Sequence, residues 1–156
     1  LAGCGPSERS APSAASVAAE LARSQTTVGG TGDPTGPTSG RTRRSEGGSV
    51  TIDVTWENPD DRNGSLTFSV IMNTHSVDLD GYDLGRLAML RNDRGQELKP
   101  QRWDAPAGGH HRSGVLVFPP ADGSGNPILA PGTKSIELVI RDVAGIRERV
   151  LRWEVS

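Results

Sequence analysis

The sequence predicts an all-β fold, an immunoglobulin-like β-sandwich of about seven strands behind an unstructured N-terminal tether. Three observations point there: apolar residues that alternate with polar ones, turn signals every ~8 to 12 residues, and the lack of any convincing helical period. Val50, Ile52, Val54 and Trp56 alternate with Thr51, Asp53 and Thr55, and Leu66, Phe68, Val70 and Met72 repeat the pattern after Asn63-Gly64. Asn-Gly between alternating runs is a strong hairpin signal, so these two segments are expected to pair. Residues 87–91 and 97–103 flank Asn92-Asp93-Arg94-Gly95, whose glycine can take the positive φ of a tight turn. Residues 115–118 form a short strand ended by Pro119-Pro120, and Pro131-Gly132 marks another turn. Residues 135–142 and 148–155 pair last, around Ala144-Gly145. With no second cysteine to bridge the sheets, Trp56, Phe68, Phe118 and Trp153 are expected to supply the core, and the period of two puts Met72 there as well.

Composition divides the chain. Hydrophobic residues make up 33% of the 156, and nearly every large one follows Gly48. Residues 5–48 are dominated by Ser, Thr, Gly, Pro and Ala and cannot bury enough apolar surface to offset the entropy of ordering. They read as a disordered tether, with the folded domain over residues 49–156. A tether of that length has a root-mean-square span of about 35 Å. Arg41, Arg43 and Arg44 read as its solvated end, with a weaker option of attraction to anionic lipid or wall polymer.

Seventeen Lys and Arg against nineteen Asp and Glu give a net charge of -2, and no basic run exceeds Arg43-Arg44, so nucleic acid is not an expected partner. No stretch reaches the ~18 apolar residues of a membrane-spanning helix.

The single cysteine, Cys4, excludes an intramolecular disulfide, and Gly3, Gly5, Pro6 and Ser7 around it offer no core to enter. Leu1-Ala2-Gly3-Cys4 resembles the lipobox of bacterial lipoproteins at all four positions. That resemblance implies diacylglycerol on the Cys4 sulfur, residues 1–3 as the remnant of a signal peptide, and a domain held outside the cytoplasm on a bacterial membrane. Two or more acyl chains, at ~0.8 kcal/mol per buried CH₂, anchor stably where one is marginal.

Chemistry concentrates in two segments: Asn73 to Asp83, with His75, Asp78 and Asp80, and Gly108 to Gly114, with His110 and His111. Loop-borne polar residues on a rigid sandwich are where binding usually resides. Three neutral imidazoles with Asp78 or Asp80 assisting form a competent shell for Cu²⁺ or Zn²⁺. If residues 77–80 are extended, Asp78 and Asp80 share one face while Val77 and Leu79 share the other. Adjacent histidines on a regular strand point oppositely, so joint ligation needs the Gly108-Gly109 loop to be irregular. Met89 stands where an EF-hand requires a bidentate Glu, which excludes that loop, and a looser Ca²⁺ site on Asp78, Asp80 and Asp83 is the less favoured alternative to Cu or Zn. Ser113 beside His111 lacks a nucleophile elbow, and no glycine fingerprint lies between a strand and a helix, so an enzyme is not expected.

The segments Thr74 to Asp80, Gly108 to Arg112 and Ile140 to Val143 are similar to those of a group of bacterial exported proteins and lipoproteins with no established activity. The likeness supports the domain boundaries and assigns no chemistry. Two functions follow from the sequence: a tethered domain binding Cu or Zn through His75, His110 and His111, or a metal-free module holding an envelope protein or polymer with the same loops.

Overall fold

The structure, a computed structural model, describes residues 40–155. Cys4 and most of the expected tether lie outside them. The described residues form nine strands and one helical turn: β1 (Thr42–Gly47), β2 (Val50–Trp56), β3 (Leu66–Thr74), α1 (Leu84–Leu87), β4 (Ala88–Asn92), β5 (Glu97–Leu98), β6 (Arg102–Asp104), β7 (His111–Phe118), β8 (Ser135–Val143) and β9 (Ile146–Glu154). One sheet runs β1-β2-β3-β7-β6, the other β5-β4-β8-β9, and every pairing is antiparallel. The strands β2, β3, β7 and β6 stand where A, B, E and D stand in an immunoglobulin domain, and β5, β4, β8 and β9 where C′, C, F and G stand. The expected sandwich is therefore present, preceded by one additional edge strand, β1.

Two expectations are corrected. The domain begins before Ser49, because Thr42 to Gly47 pair residue by residue with Thr55 to Val50. The six residues of β1 carry little hydrophobicity, so composition assigned them to the tether, yet they have specific work. Arg44 forms a two-point ion pair with Asp53, at 2.6 and 3.0 Å, and Arg43 donates to the Arg152 carbonyl at 2.6 Å. The second correction concerns residues 97–103, which are two strands in different sheets. The chain leaves β4's sheet after Leu98 and joins β7's at Arg102, and Pro100, which has no N–H to give a ladder, stands in the crossing.

The β2–β3 pairing holds, from Val50↔Thr74 to Trp56↔Phe68. Its connection is not the two-residue Asn63-Gly64 turn that the dipeptide suggested. Residues 57–65 make a longer loop in which the Asn58 amide donates to the Ser65 carbonyl and its oxygen accepts from the Thr67 amide. The Asp61 carboxylate accepts from the amides of Asn63 and Gly64. True two-residue turns occur at Gly48-Ser49 (φ 58° and 62°) and, as expected, at Ala144-Gly145 (φ 53° and 74°). The two abut, since a Cβ on Gly48 would run into the Ala144 carbonyl oxygen.

The core follows the alternation. Val50, Ile52, Val54, Trp56, Leu66, Phe68, Val70 and Met72 are buried between the sheets with Leu90, Leu116, Phe118, Ile136, Leu138, Ile140, Leu151 and Trp153. Trp56, Phe68, Phe118 and Trp153 form one aromatic cluster, with ring centroids 5.3 to 6.5 Å apart.

Candidate functional site

Strand directions sort the loops into two ends. Thr42, Trp56 and Leu66 mark one end, where Arg41 accepts from the Trp56 amide and from the Trp153 indole N–H. Gly47, Val50, Thr74 and His111 mark the other, and there the two histidine-bearing segments meet.

They meet through hydrogen bonds rather than through a shared ion. The Thr74 amide donates to the His110 carbonyl at 3.0 Å and the Leu79 amide to the Gly109 carbonyl at 2.9 Å. In return the Asp80 carboxylate accepts from the amides of Gly108 (2.8 Å) and Gly109 (3.2 Å). Gly109 takes φ +60°, which the turn between β6 and β7 requires and which favours glycine. A Cβ on Gly108 would strike the His111 carbonyl oxygen, so this residue too must be small. Residues 77–80 alternate as expected, with Leu79 buried in the core and Asp78 and Asp80 exposed.

The organiser of the site is Arg112, whose side chain is only 11% exposed. Its Nε donates to the Pro106 carbonyl, Nη2 to that of Ala105, and Nη1 to those of Leu79, Asp80 and Tyr82, at 2.8 to 3.3 Å. The guanidinium also lies 5.8 Å from the Trp103 ring centre. One cation thus ties the β3–β4 loop to the β6–β7 loop through five carbonyls. Tyr82 adds the third loop of this end, its hydroxyl accepting from the Ala144 amide in the β8–β9 turn. From the sequence, Trp103 and Arg112 read only as flanking residues that could shield or orient a site, and Tyr82 had no such role. The signal available for Arg112 was only a charged residue at an even offset from Gly114 and Leu116 along β7, hence on the inward face.

Of the five residues expected to hold a metal, the structure brings none into a common shell. His110 Nδ1 lies 3.0 Å from the Val77 carbonyl oxygen, His111 Nδ1 lies 2.8 Å from Asn73 Oδ1, and His75 is exposed. Asp78 accepts from the Asp80 amide, and Asp80 is committed to the glycine amides. Among the described residues, no three His, Cys, Asp or Glu side chains gather closely enough to share an ion. The segments do converge, as a metal site requires, but the convergence spends the carboxylates on backbone amides.

The Gly108 amide above all, then that of Gly109 and the nearby Arg112 charge, hold the Asp80 carboxyl below its ordinary pKa. A depressed folded-state pKa means that the interaction is complete above the ordinary carboxylate range and is lost as pH falls through the lower, folded value. An acid titration followed by NMR should therefore place the Asp80 inflection below that of an unperturbed aspartate. In Asp80→Asn, the Gly108 and Gly109 amides should exchange faster with solvent at neutral pH, and their acid sensitivity should vanish. An Asp80 carboxyl titrating at the ordinary value would deny it this fastening role.

Fold and site together define an immunoglobulin-like domain with a three-loop platform at one end. Neither a protein family nor a curated protein matches the chain. Among solved structures, the crystal structure of a DUF4426 family protein from Pseudomonas aeruginosa PAO1 is similar at 7% identity and a TM-score of 0.39, over 72% of this chain and 93% of that one.

Proposed function

We propose that this chain is a lipoprotein anchored through Cys4 on the extracytoplasmic side of a bacterial membrane, and that its domain holds a protein or envelope polymer on the loop platform without a metal. The observation that carries this reading is the position of the platform. It stands at the end of the sandwich opposite Arg41, about 20 Å away along the seven residues of β2 at ~3.3 Å each, so the point where the chain enters the domain leaves these loops uncovered. The Arg112 hub further supports it, because pre-ordered loops lose less entropy on binding. By analogy of fold, the loops joining B to C and F to G at this end are those that variable domains use for recognition. The metal alternative draws on the free Nε2 atoms of His110 and His111, but no third donor stands beside them among the described residues.

The test is site-specific photo-crosslinking of the full chain in its native cells, with the crosslinker at position 75 or 110 and, as control, at position 62 in the opposite end. Adducts confined to positions 75 and 110, and unchanged by a membrane-permeant chelator, are expected. Equal adducts at position 62 would deny the platform its role, and adducts lost to the chelator would restore the histidines as ligands. Membrane fractionation of Cys4→Ala reports the anchor separately: the variant should leave the membrane fraction.

A further inference from the structure

A second feature lies at the other end of the sandwich, in the loop of residues 57–65 between β2 and β3. Asn63-Gly64 does not serve there as a hairpin turn, so neither residue is held in a ladder, and Asn63 is exposed. The side-chain amide carbon of an asparagine is an electrophile, and the next backbone nitrogen can reach it by closing a five-membered ring. A following glycine leaves that nitrogen unhindered and its backbone free to turn.

The five asparagines of the chain all lie among the described residues, and the structure separates them. Asn58 and Asn126 precede prolines, whose nitrogens have no hydrogen to lose. Asn73 and Asn92 precede amides already given to carbonyls, Thr74 to His110 at 3.0 Å and Asp93 to Ser135 at 3.1 Å. Their own side chains are held as well, Asn73 by His111 and Asn92 by Gln96 and the Ile128 carbonyl. The Asn63 side chain has no hydrogen bond among the described residues, and the Gly64 N–H points at Asp61 Oδ1, 2.8 Å away. A free electrophile therefore adjoins a nitrogen whose proton already faces a carboxylate.

We propose that Asn63-Gly64 is a site of self-modification, at which the folded chain converts Asn63 to aspartate or isoaspartate without an enzyme. The Gly64 nitrogen attacks Asn63 Cγ. As that C–N bond forms, the nitrogen's proton passes to Asp61, and the side-chain nitrogen takes up a proton and leaves as ammonia. Proximity within one chain replaces a second reactant, and Asp61 is placed as the base. Water then opens the cyclic imide at either carbonyl, giving the two products with no change of oxidation state. Either adds a negative charge to the loop that holds Asp60, the ion-pair partner of Arg41 at 3.2 Å, and isoaspartate also moves a methylene into the backbone. The site is independent of the platform reading.

The experiment is incubation of the full chain at neutral and mildly alkaline pH, followed by peptide mass spectrometry and measurement of released ammonia. Conversion at Asn63 should run at least tenfold faster than at Asn73 or Asn92, rise with pH, and proceed at least as fast as in a synthetic peptide of residues 57–67. Asn63→Gln should abolish the ammonia release. Asp61→Asn, which keeps an acceptor oxygen and removes the base, should slow conversion severalfold at an unchanged melting temperature. Equal rates at Asn63 and Asn73, ammonia release that persists in Asn63→Gln, or slower conversion in the folded chain than in the peptide would overturn the proposal. Unchanged or faster conversion in Asp61→Asn would overturn the part given to Asp61.

Discussion

Trp153→Ala is expected to destabilise the domain by about 3–5 kcal/mol, the usual cost of truncating a buried Trp, and to lower its melting temperature by more than ~10 °C. Trp153 lies on β9 at 1% exposure and touches both sheets. Its ring is 5.3 Å from Phe68 and 6.5 Å from Trp56, so it packs β9 of one sheet against β3 and β2 of the other. Its indole N–H donates to the Arg41 carbonyl at 2.7 Å, and the Arg43 guanidinium lies 5.8 Å from its ring centre. Truncation therefore opens a cavity and also releases the start of β1. Against a total stability of about 5–15 kcal/mol, such a loss leaves a marginal fold. Val150→Ala, on the same strand but 45% exposed, should cost under ~0.5 kcal/mol. Urea unfolding of the pair checks this. Equal effects in the two variants would mean that Trp153 does not bridge the sheets.

The alternation made this core legible. A period of two fixes which side chains share a face, and a register slip by one would expose all of them. Hence Val50 to Trp56 and Leu66 to Met72 could be paired, and their aromatic members placed inside, before any coordinates. What alternation could not reveal is where a strand changes sheet. Glu97 and Trp103 look like the two ends of one strand, yet the crossing between them decides that Trp103 closes the edge of the other sheet, above Gly85. Edge strand β1 was missed for a related reason. Its stabilisation comes from ladder bonds and from Arg43 and Arg44, which a hydrophobicity pattern does not count.

The site was legible as a location and not as a chemistry. Polar residues crowded into two short segments identified the loops that meet. Their side chains are interpreted differently once backbone donors are visible. Asp80 looked like a ligand because a carboxylate suits a cation, but two unpaired glycine amides suit it equally well, and glycine has no side chain to signal them. Arg112 was harder still, since the carbonyls that it satisfies belong to five residues of unrelated type. A role defined by backbone acceptors leaves no motif.

That hub gives the second large effect. Arg112→Ala removes every donor that these five carbonyls receive from its side chain and takes the stack from Trp103, which should cost the fold about 2–4 kcal/mol. The loss should be local in kind: hydrogen exchange at residues 75–83 and 105–110 should accelerate while the β8–β9 amides stay protected. Arg112→Lys should rescue little, because an ammonium has no planar fork to span carbonyls on both loops. The remaining backbone bonds, Thr74 to His110 and Leu79 to Gly109, are the competing explanation for the order of the platform. Wild-type protection in Arg112→Ala would assign that order to them and leave Arg112 idle, and wild-type protection in Arg112→Lys alone would deny the planar fork its part. Fast exchange in both, with the core intact, would separate the platform from the sandwich as a unit that one side chain assembles, and adducts at positions 75 and 110 should then disappear with it.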